Sequence, residues 1–244
     1  MSQIWKGENW EVRHGRWQDS PPDVVDHVIS DPPFTDHVSN KGRVGAGSAV
    51  CKDKVLSFGG VDAQDAVKVG ARTRRWAVLF CAVEQIGLYQ IADPDRFVRG
   101  CAWAKSNPTP QFTGDRPASW GEGIALLHPK GKKRWNGGGK SGLYRGPSGH
   151  AEKNAAVRLH ETQKPLWLMR QLIEDFTDPG DLVWDPYGGS MTTGVACLQI
   201  GRRFLGHEMQ LMYAEVGAER LEAASQGLTL KAARAGQLPL LGLV

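Results

Sequence analysis

Asp181-Leu182-Val183-Trp184-Asp185-Pro186-Tyr187-Gly188-Gly189-Ser190 is an apolar run that stops at an acid and then opens into a pair of glycines. The run reads as a buried strand, and Thr192-Thr193-Gly194-Val195-Ala196-Cys197-Leu198 behind it reads as a helix, with Ser190 or Thr192 near its cap. Small residues let the backbone approach a ligand closely, while the first turn of the helix presents N–H groups with no partner inside the helix. Arg203-Phe204-Leu205-Gly206 reads as a further strand and leads to Glu208, about twenty residues beyond the loop's acid, where a carboxylate can hold ribose hydroxyls. Strand, glycine loop, helix and strand in that order predict an α/β fold with a doubly wound, mostly parallel sheet.

A second strand end lies far away in the chain. Val28-Ile29-Ser30 runs into Asp31-Pro32-Pro33-Phe34. Two prolines forbid helix and remove two backbone donors, leaving a carboxylate, carbonyls and a ring at the carboxyl end of a strand. Acceptors of hydrogen bonds from an amino group, beside a ring that stacks on a flat heterocycle, suit the exocyclic amine of a nucleobase. Asp-Pro-Pro also begins ordinary surface turns.

Between these segments lies His160-Glu161-Thr162-Gln163-Lys164-Pro165, after which Leu168, Leu172, Ile173 and Phe176 fall on one helical face. The three motifs in this order resemble the β-class amino-methyltransferases of DNA, from about Val12 to about Leu221. The resemblance implies a single Rossmann-like methyltransferase domain over 1–244, in circularly permuted order, with seven strands of which one is antiparallel. It implies S-adenosylmethionine as cofactor and Asp31, Pro32, Pro33 and Phe34 as the catalytic motif, Phe34 stacking on the flipped base. Lys164, beside Thr162 and Gln163, is expected to meet the methionine part of the cofactor. Asp31, Asp185, Tyr187, Gly189, Ser190 and Thr192 are expected along the cofactor, and Glu208 on its ribose. Trp103-Ala104-Lys105-Ser106-Asn107-Pro108 resembles a further family stretch near the active site. Two positions depart from the family: Met191 stands where a second glycine is usual, and Gly15-Arg16 stands where Gly-Asp is usual, with Asp19 as a substitute acid.

An exocyclic amine is a poor nucleophile because its lone pair is delocalised into the ring. Asp31 and the Pro32 carbonyl can accept its two hydrogen bonds, which strengthen as positive charge develops on nitrogen. Attack at a ring carbon of cytosine needs a thiolate, usually in a Pro-Cys pair, and none of Cys51, Cys81, Cys101 or Cys197 follows a proline. In the family that the chain resembles, an Asp at the first motif position accompanies adenine and a Ser cytosine, so the resemblance implies adenine N6 for Asp31. Cytosine N4, or a catalytically silent DNA-binding protein of the same fold, are the alternatives.

The 244 residues carry a net charge of +4, but between His128 and Arg158 eight Lys or Arg face one Glu. Lys130, Lys132, Lys133, Arg134, Lys140 and Arg145, with Trp135 and Tyr144 among glycines, predict a basic DNA-contacting loop over 128–158, ordered only on binding, although a charge run is also the mark of a solvated face. A second loop follows Phe34, with Lys41 and Arg43 as candidate contacts to DNA, expected to be double-stranded. Arg72, Arg74 and Arg75 form another basic cluster. Scattered cysteines and histidines predict reduced thiols and no metal site, and no apolar run is long enough to span a membrane. A cytoplasmic enzyme of a bacterial cell or phage-infected host, compatible with a homodimer, is the expectation.

Overall fold

The computed structural model describes residues 3–33, 61–148 and 163–238. Among these, nine strands form one sheet: β1 (Ile4–Lys6), β2 (Trp10–His14), β3 (His27–Ser30), β4 (Ala77–Cys81), β5 (Phe97–Lys105), β6 (Gly121–Leu127), β7 (Leu143–Gly146), β8 (Leu182–Asp185) and β9 (Arg203–Glu208). Their spatial order is β1-β2-β9-β8-β3-β4-β6-β5-β7. Only β1 and β6 run against the others. The sheet is therefore doubly wound and mostly parallel, with nine strands and two antiparallel ones where seven and one were expected. β1, β2 and β7 carry no apolar run of their own. β1 and β7 are edge pieces of three and four residues, and β2 alternates buried and partly exposed residues with charges between them.

The helices are α1 (Ala63–Val67), α2 (Ile86–Ala92), α3 (Leu166–Phe176), α4 (Thr192–Gln199), α5 (Leu211–Ser225) and α6 (Leu230–Arg234). Side chains alternate along β4, which sends Val78 and Phe80 into one core cluster and Ala77, Leu79 and Cys81 into another. The first cluster holds Leu168, Leu172, Ile173 and Phe176 of α3 together with Val195 of α4 and Leu221 of α5. The second holds Ala66, Val67 and Tyr89. Two helical layers thus enclose the sheet.

β8 leads through α4 to β9 on one side, while β3 leads towards β4 on the other. The chain diverges between β3 and β8, the position where α/β sheets open a crevice at the carboxyl ends of their strands.

α4 begins without a side-chain cap. Its N-cap is Met191, not Ser190 or Thr192, and Met191 holds a left-handed backbone (φ 58°) in which a side chain is strained. The side chain is fully buried. A β-carbon at Gly188, Gly206 or Gly217 would come within 2.6 Å of it, so three glycines leave the space that this methionine fills. Met191→Gly is therefore expected to relieve about 1 kcal/mol of backbone strain but to lose about 2–4 kcal/mol to the cavity. Urea denaturation should show a net loss; a more stable variant would mean that the pocket collapses around the missing side chain.

Candidate active site

Asp31 follows β3 and Asp185 ends β8, so two acids stand side by side at the divergence point. They do different things. Asp185 is buried, and its carboxylate accepts hydrogen bonds from Ser30 Oγ (2.5 Å), Thr193 Oγ1 (2.6 Å) and the Tyr187 backbone N–H (3.1 Å). Burial raises its pKa, and these donors pull the other way. The carboxylate pins the end of β3, the glycine loop and the first turn of α4 together, so its oxygens serve the fold.

Asp31 has the opposite character. Its Oδ2 receives Lys164 Nζ at 2.5 Å, while Oδ1 is buried with no hydrogen-bond partner among the described residues. About a quarter of the side chain reaches solvent, but Oδ1 does not. Burial pushes the carboxyl up to about 6 against the pull of Lys164. The Pro33 carbonyl is taken by the Val61 N–H (2.9 Å), which ties the return of the chain to the motif.

Lys164 lies just before α3, with its ammonium 3.1 Å from Glu122 Oε2 on β6 and 5.0 Å over the Phe80 ring. Glu122 Oε1 in turn meets Lys105 Nζ at 2.7 Å. Burial disfavours the charge on Lys164, but Asp31 and Glu122 outweigh it and hold the ammonium protonated. Burial likewise works against an ionised Glu122, and the two lysines keep its pKa below the usual value.

Beside this row, Gly189 also takes positive φ (52°), and its N–H donates to Glu208 Oε2 at 2.9 Å; Glu208 Oε1 accepts from the Gln210 N–H at 2.7 Å. Glu208 therefore grips the glycine loop from the end of β9. Ser190 Oγ donates to Gln163 Oε1 at 3.3 Å, linking the loop to the segment that carries Lys164. The Tyr187 hydroxyl accepts from Trp17 Nε1 at 3.2 Å. Thr192 is buried at the start of α4. Arg16 and Asp19 are both exposed.

Two functional groups escaped the sequence reading. Glu122 sits inside an apolar strand, where its only signal was a single charge between two glycines. Arg220 of α5 reaches back to donate to the Ser190 carbonyl, to Ser190 Oγ (3.0 Å) and to Thr192 Oγ1 (3.3 Å). Burial lowers its pKa to about 10. On the sequence it is one more basic residue in an amphipathic helix.

Phe34, Thr162, Lys41 and Arg43 lie outside the described residues. The basic loop is described as far as Ser148, and most of it lies far from Asp31. β6 runs antiparallel, pairing Gly123 with Cys81 at the catalytic edge and Leu127 with Ala77 at the opposite edge. The segment after Leu127 therefore starts at the edge remote from Asp31. There it docks: Trp135 packs on Phe176 (4.9 Å between centroids), Arg134 pairs with Asp178 (3.1 Å), Lys140 with buried Asp175 (2.9 Å) and Lys130 with Asp95 (2.9 Å). Lys132 and Lys133 are exposed at that edge. Acids and rings at the end of α3 thus engage part of residues 128–148. Arg145, exposed on β7 opposite Ala104, returns towards the catalytic edge. Arg74 pairs with Asp26 and Arg75 with Asp181 at the remote edge. Among the described residues no cluster of metal ligands occurs, and no helix is long and apolar enough to cross a membrane.

Residues 89–219 match a family described as DNA methylase. The chain belongs to that DNA methylase family. Among its relatives, the DNA adenine methyltransferase YhdJ of Escherichia coli is 44% identical over 66 residues, 27% of this chain and 22% of YhdJ. Type II methyltransferase M2.DpnII of Streptococcus pneumoniae is 42% identical over 67 residues, 28% of this chain and 25% of M2.DpnII. The chain thus aligns with about a quarter of the length of these relatives. The crystal structure of the M1.HpyAVI-SAM complex shares the fold, with a TM-score of 0.63 and 24% identity, over 87% of this chain and 99% of that one.

Removing the Asp185 carboxylate strands two buried hydroxyls and a backbone N–H. Asp185→Ala is expected to cost about 3 kcal/mol or more in denaturant titrations. A loss below about 1 kcal/mol would show that the fold does not rely on the carboxylate as a pin.

Proposed function

We propose that this DNA methylase transfers a methyl group from S-adenosylmethionine to an exocyclic amine of a base in double-stranded DNA, adenine N6 being the favoured acceptor, in the cytoplasm of a bacterial cell or phage-infected host. The observation that carries the reading is Asp31 Oδ1, a buried acceptor with no hydrogen-bond partner among the described residues, at the mouth of the switch-point crevice. A site built to receive an N–H leaves such an oxygen open.

The residues present fit the cofactor. The Gly188-Gly189 turn allows close backbone approach, Glu208 at the end of β9 suits ribose hydroxyls, and Lys164, shared by Asp31 and Glu122, stands at the same strand ends. In this reading Gln163, Tyr187, Ser190 and Thr192 also meet the cofactor, and Asp185 supports the loop from beneath. S-adenosylmethionine, when bound, supplies an electrophilic sulfonium methyl.

The protein's part is to hold and polarise the amine. Asp31 Oδ1 accepts one amine hydrogen bond and the Pro32 carbonyl the other, which favours the pyramidal nitrogen of the attack. Positive charge grows on nitrogen beside the carboxylate and the two hydrogen bonds strengthen with it; the S–CH3 bond of the donor would break to leave a neutral thioether, and the methylated nitrogen releases its extra proton to solvent. Fixing the amine in line supplies much of the remaining acceleration. Phe34 serves the swung-out base by stacking. DNA approaches the catalytic edge, where 106–120 presents exposed Phe112 and Trp120 and where Arg145 points the basic segment back.

Ionised Asp31 is the competent form. With its carboxyl pushed up to about 6, the rate is expected to rise with pH through that region as one proton leaves. Incubation with tritiated donor and unmethylated DNA, followed by nucleoside separation, should give label in N6-methyladenine, and Asp31→Ala should remove it while cofactor still binds. Label in N4-methylcytosine would reassign the acceptor; undiminished turnover by the variant would refute the role of Asp31.

A further inference from the structure

Asp31, Phe80, Glu122 and Lys164 gather on one face of the sheet. Ile29, two residues before Asp31, and Ile124, two residues after Glu122, both belong to the core cluster under α3, as does Phe80. The period of two along a strand therefore aims both acids towards the lead into that helix, where Lys164 stands. The result is a row of alternating charge, Asp31, Lys164, Glu122 and Lys105, with contacts of 2.5, 3.1 and 2.7 Å. The Lys164 and Glu122 side chains are only 10% and 14% exposed.

An ammonium facing a lone carboxylate gains most by lying between its two oxygens. Here its hydrogen bond goes to Oδ2, and Oδ1 has none among the described residues. Glu122 supplies the reason: its Oε2 attracts the ammonium from the far side, while Lys105 fixes Glu122 through Oε1. We propose that Glu122 is a positioning residue that draws the Lys164 ammonium to one side of Asp31, so that Oδ2 is neutralised and Oδ1 stays open to the acceptor amine. This rests on the methyl-transfer reading above and adds to it a residue that touches neither base nor donor.

Among the described residues, the charged and titratable groups facing Asp31 are Lys164 before α3, Glu122 on β6, Asp185 on β8, Cys81 on β4 and Tyr89 on α2. Burial pushes the Cys81 thiol up to about 12 and the Tyr89 phenol still higher, so neither ionises near neutrality. Glu122 opposes ionisation of Asp31 through its charge and through its hold on Lys164. Losing it moves the Asp31 titration to lower pH on both counts.

The test is Glu122→Gln, which keeps the shape and removes the charge. The Asp31 carboxyl carbon, assigned by its disappearance in Asp31→Asn, is titrated by NMR in the parent and in E122Q. We expect the midpoint to fall by about one pH unit or more, and kcat to fall about tenfold or more with KM for DNA within about threefold. A merely structural role would leave the midpoint in place. An unmoved midpoint, or a smaller loss in kcat, overturns the proposal. Should E122Q fail to fold, Glu122→Asp retracts the same charge by one methylene and is read the same way. The titration needs no turnover. A parent protein that titrates as described but methylates no base counts against the methyl-transfer reading and leaves the Glu122 placement standing.

Discussion

The Lys164 ammonium stands between Asp31 and Glu122, and the chemistry available at the crevice depends on that placement. An ionised carboxylate with little water around it is costly unless a cation lies close. A cation that covered both oxygens would leave nothing to bind an amine. The second acid resolves the conflict by sharing the cation. A lysine from the segment before α3 thereby reaches an acid at the end of β3, across 133 positions of sequence. The amino-terminal motif and the carboxyl-terminal half meet through this contact and through the Ser30–Asp185 hydrogen bond beside it.

Around that row, the loop that would face the cofactor is held from three directions. Asp185 fastens its base, Glu208 takes the Gly189 N–H, and Arg220 reaches over from α5 to the Ser190 carbonyl. Met191 adds a buried side chain under the same turn, where three glycines make room for it. A loop with two consecutive glycines is flexible in an unfolded chain, so its fixed shape here comes from these contacts. Glycine freedom supplies only the permitted dihedrals.

Much of this was legible in the sequence. The cores of β3, β4, β5, β6, β8 and β9 announce themselves as apolar runs, and the two strand-end acids mark the crevice. What the residues alone did not disclose depends on tertiary contacts. Glu122 and Arg220 carry no local pattern, since their partners are distant in sequence. Short β1 and β7 are strands because an edge was available to them. The basic run suggested a DNA-binding loop, yet the antiparallel direction of β6 sends its first part to the far edge of the sheet, where Asp175 and Asp178 neutralise Lys140 and Arg134. Charge composition cannot report which end of a strand a loop leaves from.

A double-mutant cycle between Asp31→Asn and Lys164→Met tests the central contact most directly, with unfolding free energies from urea titration of the parent, both single variants and the double variant. Each single change removes one charge of the Asp31–Lys164 contact and leaves the other buried, with Lys164 still beside Glu122, and the double change removes both. The account predicts a coupling of about 1 kcal/mol or more, the double variant losing less than the sum of the two singles. Losses that simply add would contradict it, because the two groups would then not depend on one another.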